Sequence, residues 1–262
     1  MQASPPQHRR KGAKGTSRGA LAERAAIKAE ERIAGWGTLV LGVLISYVLF
    51  WKNHYTYMAF EEYYFFNNAL LLWVPFCFIF LILRREVADF GMVTGDLKKG
   101  VLFALVGFLL FLPVILFVAP MPASQDYYIG NSLSQSRAIY GVRLGPGGIY
   151  LGGTIDWGRL VFHECVFGFY MFCWEWFFRG FMLFGVRKVL PDWAAIVLQA
   201  LLFFALHWGK PTPELISSLA GGLLLGVVAL RLRSFLPCFL IHWAISMSFD
   251  FAVLYYHFRI PS

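Results

Sequence analysis

The chain reads as an all-α, polytopic membrane helix bundle of about seven transmembrane helices. Three observations predict this. Hydrophobic residues make up 58% of the 262 and charged residues only 15%, against about 25% charged in soluble proteins; so few ionisable groups cannot coat a water-soluble particle. The apolar residues gather into runs close to the ~20 residues needed to cross hydrocarbon. Short basic clusters separate those runs.

In order, the runs cover roughly 35–51, 66–83, 100–118, 160–184, 193–208, 214–230 and 235–256. Ahead of them, residues 1–18 mix Pro, Gly, Ser and basic residues without apolar periodicity, the composition of a disordered tail. Residues 19–33, rich in Ala and Glu, form a helix leading into the first span. That span is followed by Trp51-Lys52-Asn53 with no small-residue cleavage site, so it reads as an anchor, not a cleaved signal. The chain divides into a basic tail and lead-in helix (1–33), three amino-terminal transmembrane helices (34–118), an external loop (119–158) and a four-helix region (159–262). Inside the loop, Ala138-Ile139-Tyr140 and Gly148-Ile149-Tyr150-Leu151 flank Gly145-Pro146-Gly147-Gly148, which predicts a hairpin over the outer mouth. The sixth run opens at Pro211-Thr212-Pro213-Glu214, with Thr212 as cap and Glu214 as a first-turn acid favoured by the helix dipole. It carries Gly222 and Gly226 in small-x-x-x-small spacing, which predicts a close-packed, central helix.

A net charge of +8 raises nucleic acid as a partner, and the placement of the charge removes it. Eight Lys and Arg lie between Arg9 and Arg32, and Arg84, Arg85, Lys98, Lys99, Arg187, Lys188, Arg231 and Arg233 fall on the same side. Lys52, Arg137, Arg143, Arg159, Lys210 and Arg259 fall opposite, with Arg179 inside a span. The positive-inside rule then puts the amino terminus in the cytosol, in a plasma (inner) membrane, with the lipid bilayer as the first partner. Cys77, Cys165, Cys173 and Cys238 all lie within spans and form no C-x-x-C pair, so they read as small buried hydrophobes.

Ionisable groups in hydrocarbon cost at least ~2.5 kcal/mol each and mark functional sites when they face a bundle interior. The fourth run holds Glu164, Glu175 and Arg179; the fifth ends with His207; the seventh holds His242, Ser246 and Asp250. Glu175 and Arg179 are four apart, the spacing at which carboxylate and guanidinium pair on one helix face. Counting helical rise from a turn at Pro191 places Glu175 and His207 at the same depth, about 24 Å in. His242, only about 13 Å from its own turn near Arg233, joins them if that turn lies deeper. Glu164 sits about 16 Å above Glu175, at the outer mouth; Glu164 and Asp250 read as structural or interfacial. A neutralised structural pair is the competing reading of Glu175 and Arg179.

Trp174-Glu175-Trp176-Phe177-Phe178-Arg179-Gly180, Phe203-Phe204-Ala205-Leu206-His207 and His242-Trp243-Ala244-Ile245-Ser246 closely resemble the three motifs of the CAAX prenyl endopeptidase and bacteriocin-processing (CPBP) family: E-E-x-x-x-R, F-x-x-x-H and H-x-x-x-N. The resemblance spans roughly 160–250. It implies an intramembrane endopeptidase that cleaves a membrane-anchored peptide or protein with glutamate-activated water. It makes Glu175 the second glutamate, Arg179 its structural partner, and His207 and His242 the two histidines. Trp174 stands where the family has its water-activating glutamate, and Ser246 stands where it has asparagine. Glu175, the intramembrane carboxylate level with His207, is then the candidate general base. His207 and His242 would polarise the scissile carbonyl or its oxyanion, with Ser246 as an additional donor.

No cofactor is implied by that mechanism. Glu175, His207 and His242 are also a legitimate zinc ligand set, and zinc stays open as the alternative. Two readings from other classes stand beside the protease: a catalytically silent scaffold or immunity-type protein with the same fold, and a proton-coupled transporter using the same charges as a relay.

Overall fold

A computed structural model describes residues 13–129, 142–145, 148–151 and 157–259. The first helix, α1 (Ala13–Tyr55), runs unbroken for 43 residues. The expected lead-in helix and first span are therefore one rod, and 13–18 join it instead of the tail, because Ala, Lys, Glu and Arg propagate a helix as readily outside lipid as Leu and Val do inside. The helix α2 covers 60–83 and contains two wider, π-helical turns, Ala69–Trp73 and Phe78–Leu83. Its start is capped by Glu62, whose carboxylate accepts the Ala59 N–H at 3.2 Å. The loop from Arg84 to Asp96 includes a 3₁₀ turn, Val87–Phe90. Asp96 then caps α3 (Leu97–Val118) by accepting from Lys99 N–H at 3.1 Å.

A short helix, α4 (Pro122–Tyr127), follows. Two strands, β1 (Val142–Gly145) and β2 (Gly148–Leu151), pair antiparallel with Val142 opposite Leu151. The second arm of the hairpin is where the sequence puts it. The first is Val142–Gly145, while Ala138-Ile139-Tyr140 lies outside the described residues.

The last four helices are α5 (157–186), α6 (Asp192–Ala205), α7 (Thr212–Leu232) and α8 (Leu236–Arg259). Of the described helices, α1, α2, α3, α7 and α8 are each long and apolar enough to cross a membrane, and the protein is an integral membrane helix bundle. α5 extends about 45 Å. α6 is shorter than the sequence suggests: 14 residues give about 21 Å against roughly 30 Å of hydrocarbon. It ends at Ala205, and the turn that follows, not a helix, carries His207.

The two ends of the bundle are fixed by polar contacts. Glu31 of α1 accepts from both Arg85 and Lys188, which brings the 84–96 and 187–191 connections to one end. At the other, His54 Nε2 lies 2.7 Å from the Trp208 carbonyl.

The central element is α5, not α7 as the small-residue spacing suggests. From Cys173 to Leu183 every residue is buried, including Trp176, Phe177, Phe178 and Phe181 with no exposed surface. Small residues on α7 serve one neighbour instead. Gly222 packs on Ala200, where an added Cβ would stand 3.1 Å from the Ala200 Cβ and 3.2 Å from its Cα, and Gln199 Nε2 donates to the Gly222 carbonyl at 2.8 Å. Gly221 faces open space. Helix α7 begins at Thr212 with no side-chain cap. A Gly222→Val change is expected to lower stability by about 1–3 kcal/mol through overpacking, read as a fall in Tm of the purified protein, whereas Gly221→Ala leaves Tm unchanged.

One tertiary feature sets the depth of α8. The turn joining it to α7 is buried: Ser234 and Phe235 have no exposed surface. The 84–96 loop lies over it, with Phe235 N–H donating to the Gly91 carbonyl at 3.3 Å and the Ser234 hydroxyl donating to the Val93 carbonyl. Gly95, at φ +60°, permits this approach, since a Cβ there would meet the Leu232 carbonyl oxygen at 2.5 Å. His242 consequently starts from a turn that lies well inside the protein.

Candidate active site

Glu175 closes the first, α-helical part of α5, and the helix then widens into a π-helical turn, Trp176–Met182. Such turns inside α-helices are frequent at functional sites. Glu175 and Arg179 have no exposed surface, and Arg179 Nη1 donates to Glu175 Oε1 at 3.0 Å. The guanidinium carbon stands 4.0 Å from the centre of the Phe203 ring, a cation–π contact that helps to hold a charge removed from water.

From α8, His242 Nδ1 reaches the same Glu175 Oε1 at 2.7 Å. A carboxylate paired with a guanidinium is an acceptor, so Nδ1 carries the hydrogen and Nε2 is the free edge of the ring. His207 is oriented in the same manner by backbone. Its Nδ1 lies 2.8 Å from the Phe203 carbonyl, which can only accept; Nε2 is therefore the nitrogen with an available lone pair. Its ring lies 4.4 Å from that of Phe203 and 6.1 Å from that of Trp174. His207 thus meets α5 through Trp174, which is buried and whose Nε1 has no hydrogen-bond partner.

A chamber of about 590 Å³ opens between α3, α7 and α8. Arg179, His207, His242 and Ser246 are among the polar residues that line it, while Phe103, Val106, Leu110 and Val114 of α3 supply an apolar wall. Glu175 does not line it. The five residues expected at the site therefore divide by role: Arg179 and His242 each contact Glu175, and His207 and Ser246 face the same space as His242. The remaining oxygen of Glu175, Oε2, is buried without a partner.

Two groups escaped the sequence reading. Glu214 is in the first turn of α7, as expected, but it also lines the chamber, pairs with Lys210 and accepts from the Tyr128 hydroxyl at 2.6 Å. The i,i+4 spacing of Lys210 and Glu214 was the available signal. Farther along α5 and α8, His163, Glu164 and Asp250 are buried together with one ligand-type atom of each within 4.8 Å of the others. His163 drew no attention because a single histidine on an apolar helix carries no spacing pattern.

Residues 157–248 match the family model described as "Type II CAAX prenyl endopeptidase Rce1-like". The match encloses all three motif segments and begins where α5 begins. Comparison with curated proteins and with solved structures returned no match.

Proposed function

We propose that this membrane protein, whose residues 157–248 match the type II CAAX prenyl endopeptidase Rce1-like model, is an intramembrane endopeptidase working through a histidine pair. The observation that carries the reading is the 2.7 Å contact between His242 and Glu175 at the edge of an apolar chamber. Glu175 is fully buried and does not line that chamber, which supports a positioning role toward His242 over the role of base that its depth suggests. His207 Nε2 takes the proton from water as the water oxygen attacks the scissile carbonyl, and later returns it to the leaving amine. His242, its Nδ1–H held by the Glu175 carboxylate, turns Nε2 toward the scissile peptide beside the Ser246 hydroxyl, which donates to the developing oxyanion. The apolar α3 wall suits a substrate that is itself anchored in lipid.

The same contacts support a metal-free reaction over the zinc alternative. Arg179 places a positive charge on the carboxylate that zinc would need, and one Glu175 oxygen already serves two donors. Substituting His207→Ala is expected to lower cleavage of membrane-anchored peptides by about 10²–10⁴-fold, the usual contribution of a general base. The assay uses purified protein in lipid discs with prenylated and unprenylated peptides, read by mass spectrometry of the products. Equal cleavage by His207→Ala and the parent protein would remove the proposed base.

A further inference from the structure

The cluster His163, Glu164 and Asp250 takes no part in the proposed chemistry. Along the helix axis Glu164 lies about 16 Å from Glu175, and Asp250 about 12 Å from His242. Glu164 and Asp250 each retain only 5% of their surface, and His163 4%. Both carboxylate oxygens of Glu164 are buried with no hydrogen-bond partner. The surroundings are apolar: Leu160 lies one turn away on α5, and Val253 and Leu254 one turn away on α8, in a separate hydrophobic cluster. The neighbouring ammonium of Lys210 is committed to Glu214.

Two carboxylates in such a place repel one another and have lost their water. A proton on one of them or a cation between them relieves the repulsion, and the imidazole of His163 in the same cluster is what a cation site would add. One imidazole and two carboxylates are a common donor set for zinc, which binds nitrogen and oxygen at about 2.0–2.2 Å and tolerates a fourth, water ligand. Tetrahedral ligand atoms at those lengths are roughly 3.3–3.6 Å apart. The present separations of up to 4.8 Å close to that spacing by side-chain rotation. A divalent ion also leaves the site electrically neutral, which a monovalent ion does not.

We infer that His163, Glu164 and Asp250 form a binding site for a divalent transition-metal ion, zinc above all, that ties α5 to α8. The tie is structural. It fixes the two helices that bring Glu175 and His242 together, and it stands whether or not the chamber hydrolyses peptides.

The test is made on the full chain in detergent at neutral pH. After loading with zinc and removal of the excess, the parent protein is expected to hold stoichiometric zinc by mass spectrometry, and chelation is expected to lower its Tm by several degrees, reversibly on adding zinc back. Glu164→Gln with Asp250→Asn is expected to reduce bound zinc to background and to make Tm indifferent to chelator. His207→Ala is expected to retain the metal, which separates this site from the chamber. Background zinc in the loaded parent protein, a Tm unmoved by chelator, or equal zinc in the Glu164→Gln, Asp250→Asn variant overturns the inference; the first two readouts need no variant to fold.

Discussion

Glu175→Ala is expected to cost about 3–5 kcal/mol of stability, enough to unfold much of the protein at ordinary temperature. Removing one partner of a buried ion pair leaves the other charge uncompensated, and here the survivor is Arg179, with no exposed surface and two nitrogens, Nε and Nη2, already lacking partners. Its cation–π contact with Phe203 returns only about 2 kcal/mol at best. Replacing both residues, as in Glu175→Ala with Arg179→Met, is expected to recover most of the loss, because the uncompensated charge is gone. Thermal melts of the two single variants and the double variant provide the check. Additive losses would mean that the pair is not coupled in the folded protein.

The second large effect is a gain. Trp174 is the α5 residue that faces His207, so Trp174→Glu sets a carboxylate beside the imidazole where the family resemblance puts its water-activating glutamate. Cleavage is expected to rise by about 10²-fold, the lower range for an added general base, and the rise is expected to vanish when His207→Ala is combined with it. Initial rates on the best peptide of the panel measure this. A folded Trp174→Glu protein with an unchanged rate would show that His207 does not act where we place it.

Much of the arrangement was legible in the sequence because it is local. The i,i+4 spacing of Glu175 and Arg179 dictates their ion pair, and the apolar runs dictate the helices. The depth of His242 was not legible, since it depends on a turn at Ser234–Phe235 that is pulled inward by a loop more than 130 residues earlier. The division of labour between neighbours on one helix was equally hidden. Trp174 and Glu175 are adjacent, yet the indole ring reaches His207 while the carboxylate turns to His242, and only the packing of α5 between its partners decides which histidine each one meets. Gln199 shows a third limit: a polar residue on a short helix gave no hint that it would fasten to the backbone of Gly222. The central position of α5 followed from its aromatic bulk and not from small-residue spacing, which on α7 marks one tight seam and not the middle of the bundle.

The unbroken length of α1 has a mechanical consequence. Forty-three residues make a rod of about 64 Å, and hydrocarbon occupies roughly 30 Å of it. About half therefore stands clear of the oil, and its link through Glu31 to Arg85 and Lys188 fastens it to the loops at that face. A force or binding partner applied to the free stretch acts on a stiff lever whose fulcrum is that three-residue junction, and the torque it delivers passes first to the ends of α2 and α5.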